Sequence, residues 1–192
     1  MQVYLDSEGT PVQEFSAIYV NPSDLLIKDV FHRFVRFPFE AYDPDMWARF
    51  NVHGLNIDYL REHGVTDEKT LVEEFKDWLS WHPHVTLYAH APAKEEKLLG
   101  LPIEDVKLLP WIERDTHVSH KVACNLKQVN FPVCNVRCRE AHSSFVRWSS
   151  SEKYCNKQSE LIKRTFGHHC SLYDSVECFL YHTENQKSEN YT

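Results

Sequence analysis

No stretch of this chain approaches the run of about 18 apolar residues that a membrane span takes, so none is expected. The N-terminus lacks a basic region followed by an apolar one, and no signal peptide is visible. There is no internal repeat and no low-complexity tract in the 192 residues, which argues against a solenoid or a fibrous chain. Positive charge is also short. The formal net charge of −7 argues against indiscriminate nucleic-acid binding. With no secretion signal, the six Cys read as reduced thiols or metal ligands rather than disulfides. That implies an intracellular, reducing location, cytoplasmic or nuclear.

A hydrophobic content of 42%, with 13% aromatic residues, makes the chain globular: one domain with a sizeable core, or one domain plus a small insertion. Charge is unevenly spread. From 112 to 166, ten Lys and Arg stand against five acids, a local +5 that leaves −12 for the rest. A basic segment beside acidic clusters suits an enzyme that grips phosphates in one place and metal in another; it equally suits a solvated surface.

The opening run Val3-Tyr4-Leu5-Asp6-Ser7-Glu8 reads as a strand, Gly9-Thr10-Pro11 as a turn, and residues 12–18 as a returning strand. Alternation over 28–37 predicts a third strand, completing a meander. A short helix is expected over 56–63, closed by Gly64, and a strong one over 66–81. Thr66 or Asp67 caps the second, whose apolar stripe is Leu71, Val72, Phe75, Trp78 and Leu79. Residues 84–90 then read as a buried strand, 92–99 as a helix stopped by Gly100, and 105–109 as another strand. This order predicts an α/β fold: a mixed five-stranded sheet flanked by helices. Past Trp111 the pattern loosens. Residues 117–126 read as helical, Ser149 and Glu152 as a capping box opening a helix to Thr165, 170–182 as the last helix, and 184–192 as a flexible tail.

Asp6 and Glu8, two apart, share one face at the end of a buried strand. Charge there is costly unless paired, and a divalent cation is the usual partner of such carboxylates; an acidic surface hairpin is the plainer alternative. Far along the chain, His169 stands just before the last helix and Asp174 about one turn inside it. Carboxylates with an imidazole of near-neutral pKa are what two-metal phosphoryl chemistry requires.

Taken together, these motifs resemble the DEDDh 3′–5′ exonucleases of the RNase H-like fold, the RNase T and proofreading-exonuclease group. Asp6-Ser7-Glu8-Gly9-Thr10 is similar to the first motif, and His169-x4-Asp174 to the third. His53-Gly54-Leu55 and the helix after it resemble the approach to the second, but there the chain departs. Where the family has His-Asn-Ala-x-Phe-Asp, this sequence has His90-Ala91-Pro92-Ala93-Lys94-Glu95, so that Glu95 replaces the metal-binding Asp and Lys94 the Phe. The resemblance implies a metal-dependent exonuclease acting on single-stranded nucleic acid, RNA favoured. Asp6, Glu8, Glu95 and Asp174 would hold Mg²⁺ or Mn²⁺, His169 would be the general base, and His53 would contact the nucleotide.

A second constellation is Cys134-x3-Cys138-x3-His142, with Cys124 or Cys155 as a further ligand. This suits a structural Zn²⁺ that staples a loop of little apolar content, in a Cys/His-containing insertion over 112–166 of one domain spanning 1–183. Cys170 or Cys178 could also complete such a site, and small core residues are the other reading of these thiols. The related Maelstrom domain carries a zinc set and lacks the exonuclease acids. It marks the competing expectation: an inactive RNA-binding scaffold with a structural zinc whose loop recruits other proteins.

Overall fold

The computed structural model describes residues 1–9, 11–23, 26–36, 57–65, 67–107 and 171–189. Three strands come first: β1 (Gln2–Glu8), β2 (Glu14–Asn21) and β3 (Leu26–Phe34). They form an antiparallel meander in which Asp6 faces Ser16, and Glu8 faces Glu14. Gly9 makes the β1–β2 turn possible. Its φ is +86°, and a Cβ there would lie 2.8 Å from the Gln13 side chain.

Helices α1 (Ile57–His63) and α2 (Glu68–Ser80) follow, then β4 (Thr86–Ala89), α3 (Ala93–Leu99) and β5 (Glu104–Asp105). Asp67 caps α2 by accepting from Thr70 N at 2.8 Å. Gly100, at φ 64°, closes α3. β4 is shorter than its sequence run because His84 and Ala91, both at positive φ, bracket it. It pairs in parallel with β1 and with β5, giving the order β3-β2-β1-β4-β5. This is the mixed five-stranded sheet with flanking helices that the sequence predicts. The last described helix, α4 (Ser171–Glu189), runs on through most of the stretch expected to be a tail. The expected insertion over 112–166 and the helices placed in it lie outside the described residues.

Alternation along β1 sends Val3 and Leu5 to one face and Tyr4 to the other. On the Leu5 face, Phe15, Phe31, Leu71, Phe75 and Leu99 pack under α2 and α3, with Val72, Trp78 and Leu79 partly buried against them. On the Tyr4 face, Ile18, Val20, Leu172, Val176, Phe179 and Leu180 pack under α4. Full burial of each large apolar side chain contributes about 1.5–3 kcal/mol, so both layers hold the sheet that carries the acids. Tyr4 is fully buried, and its hydroxyl meets His182 Nδ1 at 2.8 Å, tying α4 to the middle of β1.

Candidate active site

Asp6 and Glu8 follow Tyr4 on the face of β1 that α4 covers. Asp174 is on the first turn of α4. Two contacts from β2 set that turn. The fully buried Glu14 accepts from Ser171 N at 3.3 Å and from His32 Nε2 at 2.7 Å. Ser16 and Ser175 exchange a hydrogen bond between their hydroxyls at 2.8 Å, and the small side chains let helix and sheet approach closely. Glu14, Ser16 and Ser175 are positioning residues that motif reading alone does not single out. The signal was there: a Glu and a Ser interrupt the apolar run of β2, where only a partner justifies them.

The outcome is convergence. One carboxylate oxygen from each of Asp6, Glu8 and Asp174 lies within 4.8 Å of the others, and all three residues are half-buried. Burial pushes the Asp6 carboxyl well up, and the charges of Asp174 and Glu95 push it further, against the opposing pull of Lys94. Burial and the charge of Asp6 likewise raise Glu8 to about 9. Asp6 Oδ2 is buried without a hydrogen-bond partner among the described residues. Three crowded carboxylates, one with an orphaned oxygen, fit a hard divalent cation, which replaces their mutual repulsion with attraction.

Glu95 is placed differently. It lies buried in the first turn of α3 and accepts a hydrogen bond from Ser7 Oγ. Ser7 alternates with Asp6 and Glu8, so this bond forms on the opposite pleat of β1. Glu95 is near enough to raise Asp6 but is not among the three converging acids. His169, His53, Cys124, Cys134, Cys138, His142 and Cys155 lie outside the described residues. Cys178 is buried in the core of the α4 face, and burial raises its thiol pKa well above the usual range.

Among solved structures, the chain is similar to one described as 3′-end specific recognition of histone mRNA stem-loop by 3′-exonuclease. The TM-score is 0.51 at 14% identity, covering 97% of this chain and 81% of that one. The chain has a 3′-exonuclease-like fold. Two further structures align at 14% identity. The nuclease domain of 3′hExo, a DEDDh family member, bound to rAMP, has a TM-score of 0.49 over 97% of this chain and 90% of that one. A full-length 3′-exonuclease has 0.47 over 93% and 72%. No protein-family model matches the chain, and no curated protein does. On this frame Asp6, Glu8 and Asp174 meet at one end of β1, while the Glu95 carboxylate is held by Ser7. No described helix is long and apolar enough to cross a membrane.

Proposed function

We propose that the protein is a metal-dependent 3′–5′ exonuclease that hydrolyses phosphodiester bonds at the ends of single-stranded nucleic acid, RNA favoured. The observation that carries this reading is the convergence of Asp6, Glu8 and Asp174 at the end of β1. The 3′-exonuclease-like fold supports it, as does a structural neighbour described as 3′-end specific recognition of a histone mRNA stem-loop by a 3′-exonuclease. Asp6, Glu8 and Asp174 would hold Mg²⁺ or Mn²⁺, which would supply charge neutralisation and a more acidic water. Glu14 and the Ser16–Ser175 pair keep Asp174 in register with β1. His169, two residues ahead of α4 in sequence, is the proposed base for the attacking water, and His53 a contact for the terminal nucleotide. The insertion over 112–166 is proposed to hold a structural Zn²⁺ through Cys134, Cys138, His142 and Cys124 or Cys155, and its thiols point to a reducing, intracellular location.

The test is turnover of 5′-end-labelled RNA and DNA oligonucleotides with Mg²⁺ or Mn²⁺. A ladder of products shortening from the 3′ end, absent with EDTA and in Asp174→Asn, is expected. The engagement of Glu95 by Ser7 favours a second reading, a binding protein that has lost turnover. Intact oligonucleotides together with retained RNA binding would select that reading.

A further inference from the structure

Lysines of two helices close on one groove beside the end of β1. In α2, Lys69, Val72, Glu73 and Lys76 recur at the i, i+3, i+4 and i+7 spacing of one helical face. In α3, Lys94, Lys97 and Leu98 recur at i, i+3 and i+4. Both faces line a single open groove of about 850 Å³, to which Val12, Val72 and Leu98 give an apolar lining. The groove adjoins the acidic site. Gly9, which follows Glu8, forms part of its wall, and Lys94 donates from Nζ to the backbone carbonyl of Ser7 at 2.9 Å.

This lining is cationic in a chain whose net charge is −7. Four Lys stand against Glu68 and Glu73, a local +2, and both acids are engaged. Glu68 accepts from Val12 N at 2.7 Å, and Glu73 pairs with Lys69 at 3.7 Å. Lys76, Lys94 and Lys97 have no carboxylate partner among the described residues. Lys94 and Lys97, one turn apart, are a like-charge pair that weakens a helix unless an anion lies across them. The volume is near the upper end of the roughly 300–1,000 Å³ that ligand clefts span, room for more than a lone anion. Apolar walls between ammonium groups suit a ligand with flat apolar faces and repeated phosphates, which is a nucleic-acid strand. We infer that the groove between α2 and α3 carries the substrate strand beyond its bound end, with Lys76 and Lys97 holding backbone phosphates. The inference rests on the nuclease reading for the class of the anion, and adds to it the surface and the residues that grip the strand.

Binding of a short fluorescein-labelled oligoadenylate RNA to the purified full chain tests this, followed by anisotropy in EDTA so that the strand stays intact. Lys76 and Lys97 are exposed, so their replacement leaves the fold in place. Lys76→Gln and Lys97→Gln should each weaken binding about fivefold at ~0.1 M salt, the loss of one phosphate contact to a single strand. Each should also lower the slope of log affinity against log salt by about 0.7. Lys28→Gln, on β3 outside the groove, should bind like wild type. Free adenosine monophosphate should compete weakly, because it offers one phosphate where the strand offers several. A polyglutamate peptide, with charge but no bases, should also compete weakly. Unchanged affinity in both groove variants, an equal loss in Lys28→Gln, or competition by either competitor at strand-like concentrations would overturn the inference. So would a wild type that binds no strand. Turnover is read separately with Mn²⁺. A chain that grips RNA through these lysines without cleaving it keeps the groove and loses the nuclease reading. One that cleaves while both groove variants bind normally keeps the nuclease reading and loses the groove.

Discussion

Ser7 donates its hydroxyl to Glu95 on one face of β1, while its two neighbours, Asp6 and Glu8, turn to the other face and meet Asp174. A single residue thus separates the carboxylate of Glu95 from those of Asp6, Glu8 and Asp174. Ser7→Ala should leave the buried Glu95 oxygen short of a partner, at about 1–3 kcal/mol. The loss is measurable as a lower urea midpoint. Glu95→Gln should cost less, since its amide oxygen can still accept from Ser7.

Stability and activity should move in opposite directions at Asp6. Its carboxyl is crowded by Asp174 and Glu95, and one of its oxygens is buried without a partner among the described residues. Asp6→Asn removes the charge and is expected to raise the metal-free melting temperature, by an amount corresponding to about 1 kcal/mol. The same change should lower metal-dependent hydrolysis at least ~100-fold. A variant that melts lower and cleaves normally would contradict both expectations.

The pH dependence of the metal-free fold follows from Glu8. Its pKa rises from the ordinary 4.5 to about 9 on folding, so between these values the folded chain holds a proton that the unfolded chain has released. Stability is therefore greatest below about 4.5 as far as this group is concerned, declines as pH rises, and levels off above about 9. Asp6 is shifted in the same direction and adds to the decline. Melting curves from pH 5 to 9 should show this slope without metal. Saturating Mg²⁺ should flatten or reverse it, because the cation binds the deprotonated acids more tightly as pH rises.

Glu14 should prove to be the support of α4. His32→Ala would leave its fully buried carboxylate without the imidazole at 2.7 Å, at a cost of about 3–5 kcal/mol if the pair is charged. Glu14→Gln with His32 intact should be far milder. Because Glu14 also receives Ser171 N, His32→Ala is expected to weaken Mn²⁺ binding by loosening Asp174, a readout that destabilisation of β3 alone would not move.

Metal analysis of protein purified without added metal should find about one zinc per chain. Structural zinc contributes on the order of 10 kcal/mol of folding free energy, so Cys138→Ser should cost solubility rather than a fraction of activity. Freely reactive thiols in a zinc-free, folded protein would return Cys134, Cys138 and His142 to the role of small core and surface residues.

Local pattern determined much of this molecule. Alternation in Val3–Glu8 and in β2 dictates strands, the turn begun at Gly9 brings them back antiparallel, and Asp67 with the Leu71 and Phe75 stripe dictates α2. That Asp6 and Glu8 share a face follows from the period of two alone. Tertiary structure decided what meets that face. Asp174 stands more than 160 residues from Glu8 in sequence, and no periodicity links them. Packing of Leu172, Val176 and Phe179 on Tyr4 and Ile18 does so, with Glu14 and Ser16 setting the height of the helix. Counted from His90, the resemblance to the exonuclease motif would put Glu95 at a metal-ligand position. Only the fold directs it to Ser7, because the first turn of α3 covers the Leu5 face of β1 rather than the Tyr4 face. Sequence motifs record which side chains are available; the two packed layers decide which of them face one another.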